Sequence, residues 1–273
     1  MLTRVIVAVI GIPLLILIIF LAPLWALGIV VGLIAGCSAW EFLRCTVQQL
    51  PVRVRAVTSL CAFFIPFCGV FFQSGRVYEV ALFFLFAYLF CELMLSFRRE
   101  TPMTFETVTV PLLGGAVMPI LIAAIVRLGA RDNGRVYVML PFVAAFSCDA
   151  GAYFAGMFLG RNKMTPHLSP HKTIEGSIGG FVSAIVLMLV YGLILKAAKF
   201  EVNLAVMAVY GFLGALACEL GDLSFSAVKR LAGIKDYGTL IPGHGGMLDR
   251  FDSMFWTAAL LELLVSWVPA ITK

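Results

Sequence analysis

Charged residues are scarce in this chain of 273 residues. Asp, Glu, Lys and Arg make up 13% of it, against roughly a quarter of an ordinary soluble domain. Hydrophobic residues make up 62%, and the mean hydropathy is +1.02. The shortage of charge excludes a large soluble domain and predicts a membrane protein.

Two further absences narrow the possible functions. The chain has no block of basic residues, because its 20 Lys and Arg stand singly or in pairs at the ends of apolar runs. This distribution argues against a nucleic-acid partner and is typical of membrane topology. The chain also lacks a CxxC motif, and its seven cysteines lie in or beside apolar segments. We therefore expect reduced cysteines that serve as small apolar residues.

Apolar runs long enough to cross a bilayer recur along the whole chain. Each is expected to be a helix, because backbone polar groups in hydrocarbon must be satisfied within their own segment. No strand is required, so the predicted fold class is all-α, a polytopic integral membrane protein with about nine spans. The predicted spans are 5–22, 25–43, 54–73, 79–97, 108–127, 136–158, 176–197, 203–222 and 252–270.

The first run, Arg4 to Ala22, has a basic flank and could be a cleavable signal peptide. Its apolar part is longer than a signal peptide needs and leads directly into the next run, so we predict a retained span. With the amino terminus inside the cell, most of the 20 Lys and Arg fall on the cytoplasmic side. The positive-inside rule favours this orientation.

Polar residues are unevenly distributed. All three histidines and five of the six aspartates lie after position 148. We therefore predict a transmembrane scaffold in residues 1–135 and a catalytic transmembrane region in residues 136–273, with cytoplasmic loops at 159–175 and 223–251. Within the scaffold, small residues form a ridge that lets helices approach closely, either inside the chain or in a homodimer. These residues are Gly28, Gly32 and Gly36.

The first polar cluster is SCDAGAYFAGMFLGRNK, residues 147–163. Asp149, Tyr153 and Gly156 share one helical face, so a carboxylate points at whatever that face lines. An ionisable residue inside a membrane segment is costly to bury and is therefore a candidate for function. The alternative is an aspartate that only bonds to a neighbouring helix.

The second cluster is the loop HLSPHKTIEGSIGG, residues 167–180, which opens the seventh predicted span. It contains His171, Lys172, Thr173 and Glu175. Helix amino termini bind anions, and a lysine beside a hydroxyl suits phosphate. The loop is not a Walker A motif, whose G-x-x-x-x-G-K-[ST] order is absent from the chain. An ordinary polar loop is the alternative.

The third cluster begins on the eighth predicted span. Glu219, Asp222, Ser226 and Lys229 fall on one helical face, which runs from membrane depth toward the cytoplasm. Carboxylates lie deep and cations lie shallow. This gradient suits a magnesium ion that Asp222 holds together with polyphosphate oxygens, and a lipid phosphate that meets Lys229 or Arg230 at the interface.

The same cluster ends in PGHGGMLDRFD, residues 242–252. Pro242 and the glycines 243, 245 and 246 predict a turn in which side chains do not crowd a ligand. Asp249 and Asp252 follow three residues apart as the last predicted span begins. Acidic residues in a first turn also stabilise a helix, so a capping role is an alternative for them.

Residues 226–252, SAVKRLAGIKDYGTLIPGHGGMLDRFD, resemble the signature of the phosphatidate cytidylyltransferases, also called CDP-diacylglycerol synthases. The signature has a Ser-x-x-Lys-Arg segment, a Lys-Asp pair and a His-Gly-Gly-x-x-Asp-Arg-x-Asp segment in that order. The resemblance extends upstream to Gly221 and Asp222, to the loop 171–176, and to Asp149 with its neighbours. The amino-terminal half is similar only in being a set of hydrophobic helices.

The resemblance implies a magnesium-dependent reaction of CTP with phosphatidic acid in a bacterial inner membrane or its eukaryotic counterpart. The charge distribution predicts that the site faces the cytoplasm. The products would be CDP-diacylglycerol and pyrophosphate, formed by in-line attack without a covalent enzyme intermediate. A second metal or a monovalent ion is compatible with it. Asp222 and Asp249 are the first expected metal ligands, with Asp252 and Asp149 behind them.

The other expected site residues fall into two groups. Those expected to act in catalysis beside Asp222 and Asp249 are Lys229, Arg230, His244 and Arg250. Those expected to bind the substrates are His171, Lys172, Thr173, Ser226, Lys235, Asp236, Gly245 and Gly246.

Two other functions place polar residues similarly. A CTP-dependent lipid kinase would attack the γ-phosphorus of CTP and release CDP instead of pyrophosphate. A secondary transporter also carries carboxylates inside its helices, but such proteins usually have paired repeats in both halves. Here the polar residues are confined to one half, which favours the cytidylyltransferase.

Overall fold

The computed structural model of the chain describes residues 17–72, 75–98, 102–240 and 245–272. The helices of the amino-terminal half are α1 (Leu24–Thr46), α2 (Val52–Phe71), α3 (Arg76–Ser96), α4 (Glu106–Leu112), a π-helical turn (Leu113–Val117), α5 (Met118–Ile122) and α6 (Ala124–Gly129). The remaining elements are α7 (Gly134–Leu159), β1 (Lys163–Thr165), β2 (Ser169–Thr173), α8 (Ile174–Ala197), β3 (Glu201–Val202), α9 (Leu204–Leu231), α10 (Leu248–Trp267) and β4 (Ile271–Thr272).

Seven helical stretches among the described residues are long and apolar enough to cross a membrane. They are α1, α2, α3, the stretch Glu106–Gly129, α7, α8 and α9. Each corresponds to one of the predicted spans from 25–43 to 203–222. The chain is thus a polytopic helical membrane protein, as its composition predicts.

The first and last predicted spans are not among these seven stretches. Span 5–22 lies largely outside the described residues. The structure describes only its last residues, and 17–21 among them are helical. Span 252–270 corresponds to α10, which carries Asp249, Arg250, Asp252 and Glu262 and is too polar to count with the seven. The count of nine spans stays a prediction.

Two predictions about the segments between spans are wrong. Strands do occur: β1 and β2 form an antiparallel hairpin, and β3 pairs with β4. They form because backbone groups that leave the helices still need hydrogen-bond partners. The loop predicted at 223–251 begins only after Leu231, because α9 continues past the apolar run. Its last turn carries Lys229 and Arg230, cations that stabilise a helix carboxyl end.

The chain divides into two compact units. The first contains Met1–Arg135 and Leu231–Phe251, and the second contains Val136–Arg230 and Asp252–Lys273. The segment 231–251, which the sequence analysis grouped with the catalytic region, therefore packs with the amino-terminal helices. The division of labour between scaffold and catalytic region stays a prediction.

In the first unit, α1 packs closely against α2 along the predicted glycine ridge. A Cβ atom on Gly32 would lie 2.7 Å from the Phe63 carbonyl oxygen, and one on Gly36 would lie 3.1 Å from the Ser59 carbonyl oxygen. The ridge thus serves packing within the chain. A contact between two copies stays a prediction. All seven cysteines are free, as predicted.

In the second unit, glycines bring α7, α8 and α9 close together. A Cβ atom on Gly176 would lie 2.9 Å from the Ala152 carbonyl oxygen, and one on Gly211 would lie 2.7 Å from Ile185 Cα. The chain after α10 is tied to the same unit, because the Tyr210 hydroxyl donates to the Val268 carbonyl oxygen at 2.6 Å. These contacts form the frame that carries the β1–β2 hairpin.

Candidate functional site

The hairpin of the second unit turns directly into α8. Thr173 ends β2 and caps the helix, since its Oγ1 accepts a hydrogen bond from Gly176 N at 3.1 Å. Glu175 closes the base of the hairpin: its carboxylate accepts from Arg161 N at 3.1 Å and from Asn162 Nδ2 at 2.8 Å. The loop 167–180 is therefore a fixed structure that holds the residues just before Thr173 in place.

Lys172 reaches from this hairpin to α9. Its Nζ lies 2.6 Å from Asp222 Oδ2, and both side chains are partly exposed, at 23% and 31%. Burial acts to lower the pKa of Lys172, but the charge of Asp222 raises it, and the pKa ends above its ordinary value of 10.5. Lys172 is thus an ammonium ion at neutral pH. The structure brings the second and third predicted clusters together at this pair.

A cleft of about 430 Å³ opens beside the pair. Its walls combine acidic, cationic and hydroxyl side chains with glycines and apolar residues. The polar lining residues are Asp149, Tyr153, His171, Lys172, Thr173, Ser177 and Glu219. Such a cleft can bind a ligand that carries negative charge at one part and apolar surface at another.

Asp149 lies on the α7 wall of the cleft. Its Oδ1 accepts a hydrogen bond from Cys218 Sγ on α9 at 3.5 Å, so the contact with a neighbouring helix that the sequence left open does exist. The Asp149 side chain is nevertheless exposed along the cleft wall. Asp149 therefore bonds to a neighbouring helix and is still accessible to a ligand in the cleft.

The face of α9 orients its own charged groups. Ser226 Oγ donates to Asp222 Oδ1 at 3.3 Å, one helical turn away. Arg230 Nε donates to the Leu168 carbonyl oxygen at 3.2 Å and so braces the hairpin. Asp222 thus has one oxygen on Ser226 and the other on Lys172. Its carboxylate is held in a single orientation toward the cleft side of α9.

Asp252, in the second unit, is 9% exposed and accepts from Ser253 N at 2.8 Å. The charges of Asp222, Lys229 and Asp149 all act on its carboxyl group. Helices α9 and α10 approach closely here, because a Cβ atom on Gly221 would lie 2.9 Å from Ser253 Cα. Gly221 therefore allows this aspartate to lie within electrostatic range of the cleft.

The predicted magnesium ion would have to be held jointly with a substrate. Mg²⁺ usually binds one or two carboxylates plus phosphate oxygens, without an all-protein cage. Among the residues that the structure describes, no three His, Cys, Asp or Glu side chains are grouped closely enough to hold a metal by themselves. A cation already stands at Asp222 in the form of Lys172. Magnesium binding at these carboxylates stays a prediction.

The first unit contains the turn before α10. Asp249, 9% exposed, accepts with Oδ2 from Tyr237 N at 2.8 Å and from Gly246 N at 3.0 Å. Gly245 has φ +88°, a conformation that favours glycine. The structural alternative for Asp249 is therefore present in the fold. Its role as a metal ligand stays a prediction.

Glu41 of α1 is a site residue that sequence reasoning missed. Its carboxylate, 7% exposed, accepts from Met247 N at 3.0 Å and from Leu248 N at 2.9 Å. It thus caps the amino end of α10. The available signal was a lone carboxylate inside the predicted span 25–43, since charged residues there are expensive to bury and usually functional.

The remaining predicted residues lie around this turn. Lys235, Asp236 and Arg250 are exposed, while Gly246 is buried. Arg250 N donates to the Met247 carbonyl oxygen at 3.1 Å within the first turn of α10. His244 lies outside the described residues.

Comparison with known protein families shows the family of the chain. A model described as the cytidylyltransferase family matches residues 2–268, nearly the whole length. The chain belongs to the cytidylyltransferase family. The match includes both compact units, and therefore both the cleft and the turn before α10.

Curated relatives of the chain carry a more specific name. The phosphatidate cytidylyltransferase of Staphylococcus haemolyticus is 38% identical over 135 residues, which are 50% of this chain and 51% of the relative. That of Bacillus subtilis is 41% identical over 133 residues, or 49% and 48% of the two chains. The aligned part thus spans about half the length of the curated relatives that the chain matches.

Proposed function

We propose that this cytidylyltransferase converts CTP and phosphatidic acid to CDP-diacylglycerol and pyrophosphate. The observation that carries the proposal is the Lys172–Asp222 pair at 2.6 Å beside a cleft lined by His171 and Thr173. The pair joins the loop before α8, which is of a type that binds phosphate, to α9, which carries the carboxylate of Asp222. The names of the Staphylococcus and Bacillus relatives support the same substrates.

The proposed reaction is a direct displacement at the α-phosphorus of CTP. An oxygen of the lipid phosphate attacks, a new phosphorus–oxygen bond forms, and the bond to the bridging oxygen breaks as pyrophosphate leaves. The lipid phosphate is already deprotonated near neutral pH, so no strong general base is needed. The protein supplies alignment and charge, as phosphoryl-transfer enzymes generally do.

Individual residues take the following proposed roles. Lys172, at the amino end of α8, neutralises the triphosphate, and Thr173 and His171 border the same part of the cleft. Lys229 and Arg230, in the last turn of α9, bind lipid phosphate. Ser226 fixes the Asp222 carboxylate. Arg250 and His244 are assigned to phosphate binding from the resemblance alone.

Magnesium is the proposed cofactor, with Asp222 as the first ligand and with Asp149, Asp249 and Asp252 as further candidates. When bound, the ion would neutralise phosphate charge and so favour departure of pyrophosphate. The residues of the cleft would hold the substrates around it. We further propose that the site faces the cytoplasm at the inner membrane of a bacterium, since the positively charged loops favour that side.

The test is an assay of the purified full-length protein in detergent with labelled CTP and phosphatidic acid, with and without Mg²⁺. We expect CDP-diacylglycerol and pyrophosphate in equal amounts, and neither without a divalent cation. CDP together with a phosphorylated lipid would overturn the proposal in favour of a kinase. No turnover in detergent, with uptake of a solute in sealed vesicles, would favour a transporter.

A further inference from the structure

We infer that Glu41 is a positioning residue: it holds the segments 237–240 and 245–250 in the conformation that the proposed cytidylyltransferase reaction requires. The inference rests on the proposed function only for its effect on turnover. Glu41 lies near the carboxyl end of α1, in the half of the chain that the sequence analysis took as scaffold. All the groups involved belong to the first compact unit.

The carboxylate bonds to the backbone on both of its oxygens. Oε1 accepts from Met247 N and Oε2 from Leu248 N, at 3.0 and 2.9 Å. These are donors at the amino end of α10 that lack partners inside the helix. The partial positive charge of that helix end compensates the buried negative charge. One side chain therefore sets where α10 begins.

Two glycines of the signature segment fit around the same carboxylate. A Cβ atom on Gly246 would overlap Glu41, with the carboxyl carbon at 2.6 Å, and one on Gly238 would lie 2.8 Å from that carbon. Neither glycine has the positive φ that Gly245 has. Close approach to Glu41 thus explains why two positions that ordinary backbone angles would allow to carry a side chain are glycines.

The tether connects directly to proposed site residues. Gly246, which packs on Glu41, donates its N–H to Asp249 at 3.0 Å, and Asp249 also accepts from Tyr237 N. Arg250 follows in the first turn of α10. Glu41 and Asp249 are therefore two buried carboxylates that bond to different backbone donors of one turn. Loss of Glu41 would release the turn that positions Asp249 and Arg250.

The experiment compares Glu41→Gln with Glu92→Gln in the full-length protein. Glu92 is a matched control: it is 7% exposed like Glu41 and lies in the same unit, but its partner is the Arg53 side chain at 2.6 Å. Glutamine keeps the size of the side chain, but its NH₂ group opposes one of the two backbone donors. Hydrogen–deuterium exchange of the peptides covering 237–250 and steady-state kinetics are both measured.

We expect exchange in 237–250 to accelerate at least about tenfold in Glu41→Gln and to stay unchanged in Glu92→Gln. Turnover per folded molecule should fall about 10- to 100-fold in Glu41→Gln alone, as displaced supporting groups usually cause.

Two results would overturn the inference. Unchanged exchange in Glu41→Gln would show that the carboxylate does not hold the turn. Accelerated exchange with normal kcat and KM would show a stabilising role without a positioning role. A wild-type protein that forms no CDP-diacylglycerol would instead refute the proposed function, and the exchange measurement would still decide whether the tether exists.

Discussion

The Lys172–Asp222 ion pair means that the cleft carries its own counter-ion. Lys172 lines a cleft that also contains Asp149 and Glu219, and it neutralises the carboxylate of Asp222 beside that cleft. A nucleotide triphosphate would compete for the same ammonium group, because hydrogen bonds between charged partners are strong ones. If Lys172 turns toward phosphate, Asp222 needs another cation. The proposed use of magnesium follows from this exchange of partners.

Asp222→Asn is the most direct test at the level of single residues. Asparagine keeps the size of the side chain and a bond to Ser226 but loses the negative charge. Since a lost charge interaction worth several kcal/mol corresponds to a rate change of about 100-fold or more, we expect CDP-diacylglycerol formation to fall by at least that factor. The rate at saturating Mg²⁺ and the thermal unfolding midpoint are measured together.

Asp132→Asn is the control for this variant, because Asp132 is exposed in the first unit and has no role in the proposed site. It should retain wild-type turnover. Turnover of Asp222→Asn within a few-fold of wild type, at any magnesium concentration, would remove Asp222 from the list of metal ligands.

Among single residues, the sequence predicts those that stand out from their immediate neighbours in the chain. Lys172, Thr173 and Asp222 stand in short polar runs within an apolar chain, and the fold places them around one cleft. Glu41 was missed because its partners are backbone N–H groups, which leave no mark on the sequence. For Asp249 the sequence left metal binding and helix capping open, and the structure shows bonds to Tyr237 N and Gly246 N, which hold the turn before α10.

Among the elements, the α1–α2 pair depends on close contact at its glycine ridge. Gly32→Ala places a methyl group 2.7 Å from the Phe63 carbonyl oxygen, so the helices must separate. We expect the unfolding free energy to fall by about 1–3 kcal/mol, the usual effect of overpacking. Thermal unfolding in detergent measures it, and light scattering in the same detergent reports the oligomeric state.

Gly75→Ala is the matched control, since a Cβ atom there has nothing within 4 Å. It should leave the unfolding midpoint unchanged. If Gly32→Ala instead kept full stability and altered only the oligomeric state, the ridge would face a second copy of the chain and not α2.

Helices were easier to predict than the segments between them. A run of about 20 apolar residues has few alternatives in a bilayer, so α1, α2, α3, α7 and α8 follow from hydropathy. The β1–β2 hairpin was missed because its strands are only three and five residues long. Its ends are fixed by Glu175 and Thr173, whose bonds depend on the fold. The carboxyl end of α9 was missed because its final turns are polar.

For the whole molecule, the orientation in the membrane is the property that the sequence predicts and that a simple experiment tests. Positive charges favour a cytoplasmic location for 159–175 and for the chain after α9. Single cysteines in place of Lys163, Lys235 and Asp132, in a background without the native cysteines, would be labelled with a membrane-impermeant maleimide. We expect positions 163 and 235 to react in inverted vesicles and position 132 only in right-side-out cells.

Labelling of all three positions from one side would contradict the predicted topology. Labelling of positions 163 and 235 from opposite sides would contradict the cytoplasmic location predicted for both segments. Segment 231–251 belongs to the first unit, and sequence order alone does not predict this assignment. That segment follows α9 in the chain, but its buried partner Glu41 lies in α1.

The bond between Glu41 and Leu248 joins residues that are 207 positions apart. During synthesis the ribosome makes α1 about 200 residues before the turn that precedes α10, and domains fold as their segments emerge. The carboxylate of α1 therefore lacks its backbone donors until that turn has been made. A chain that stalls before α10 cannot satisfy Glu41, so membrane quality control would have a buried unpaired charge by which to recognise it.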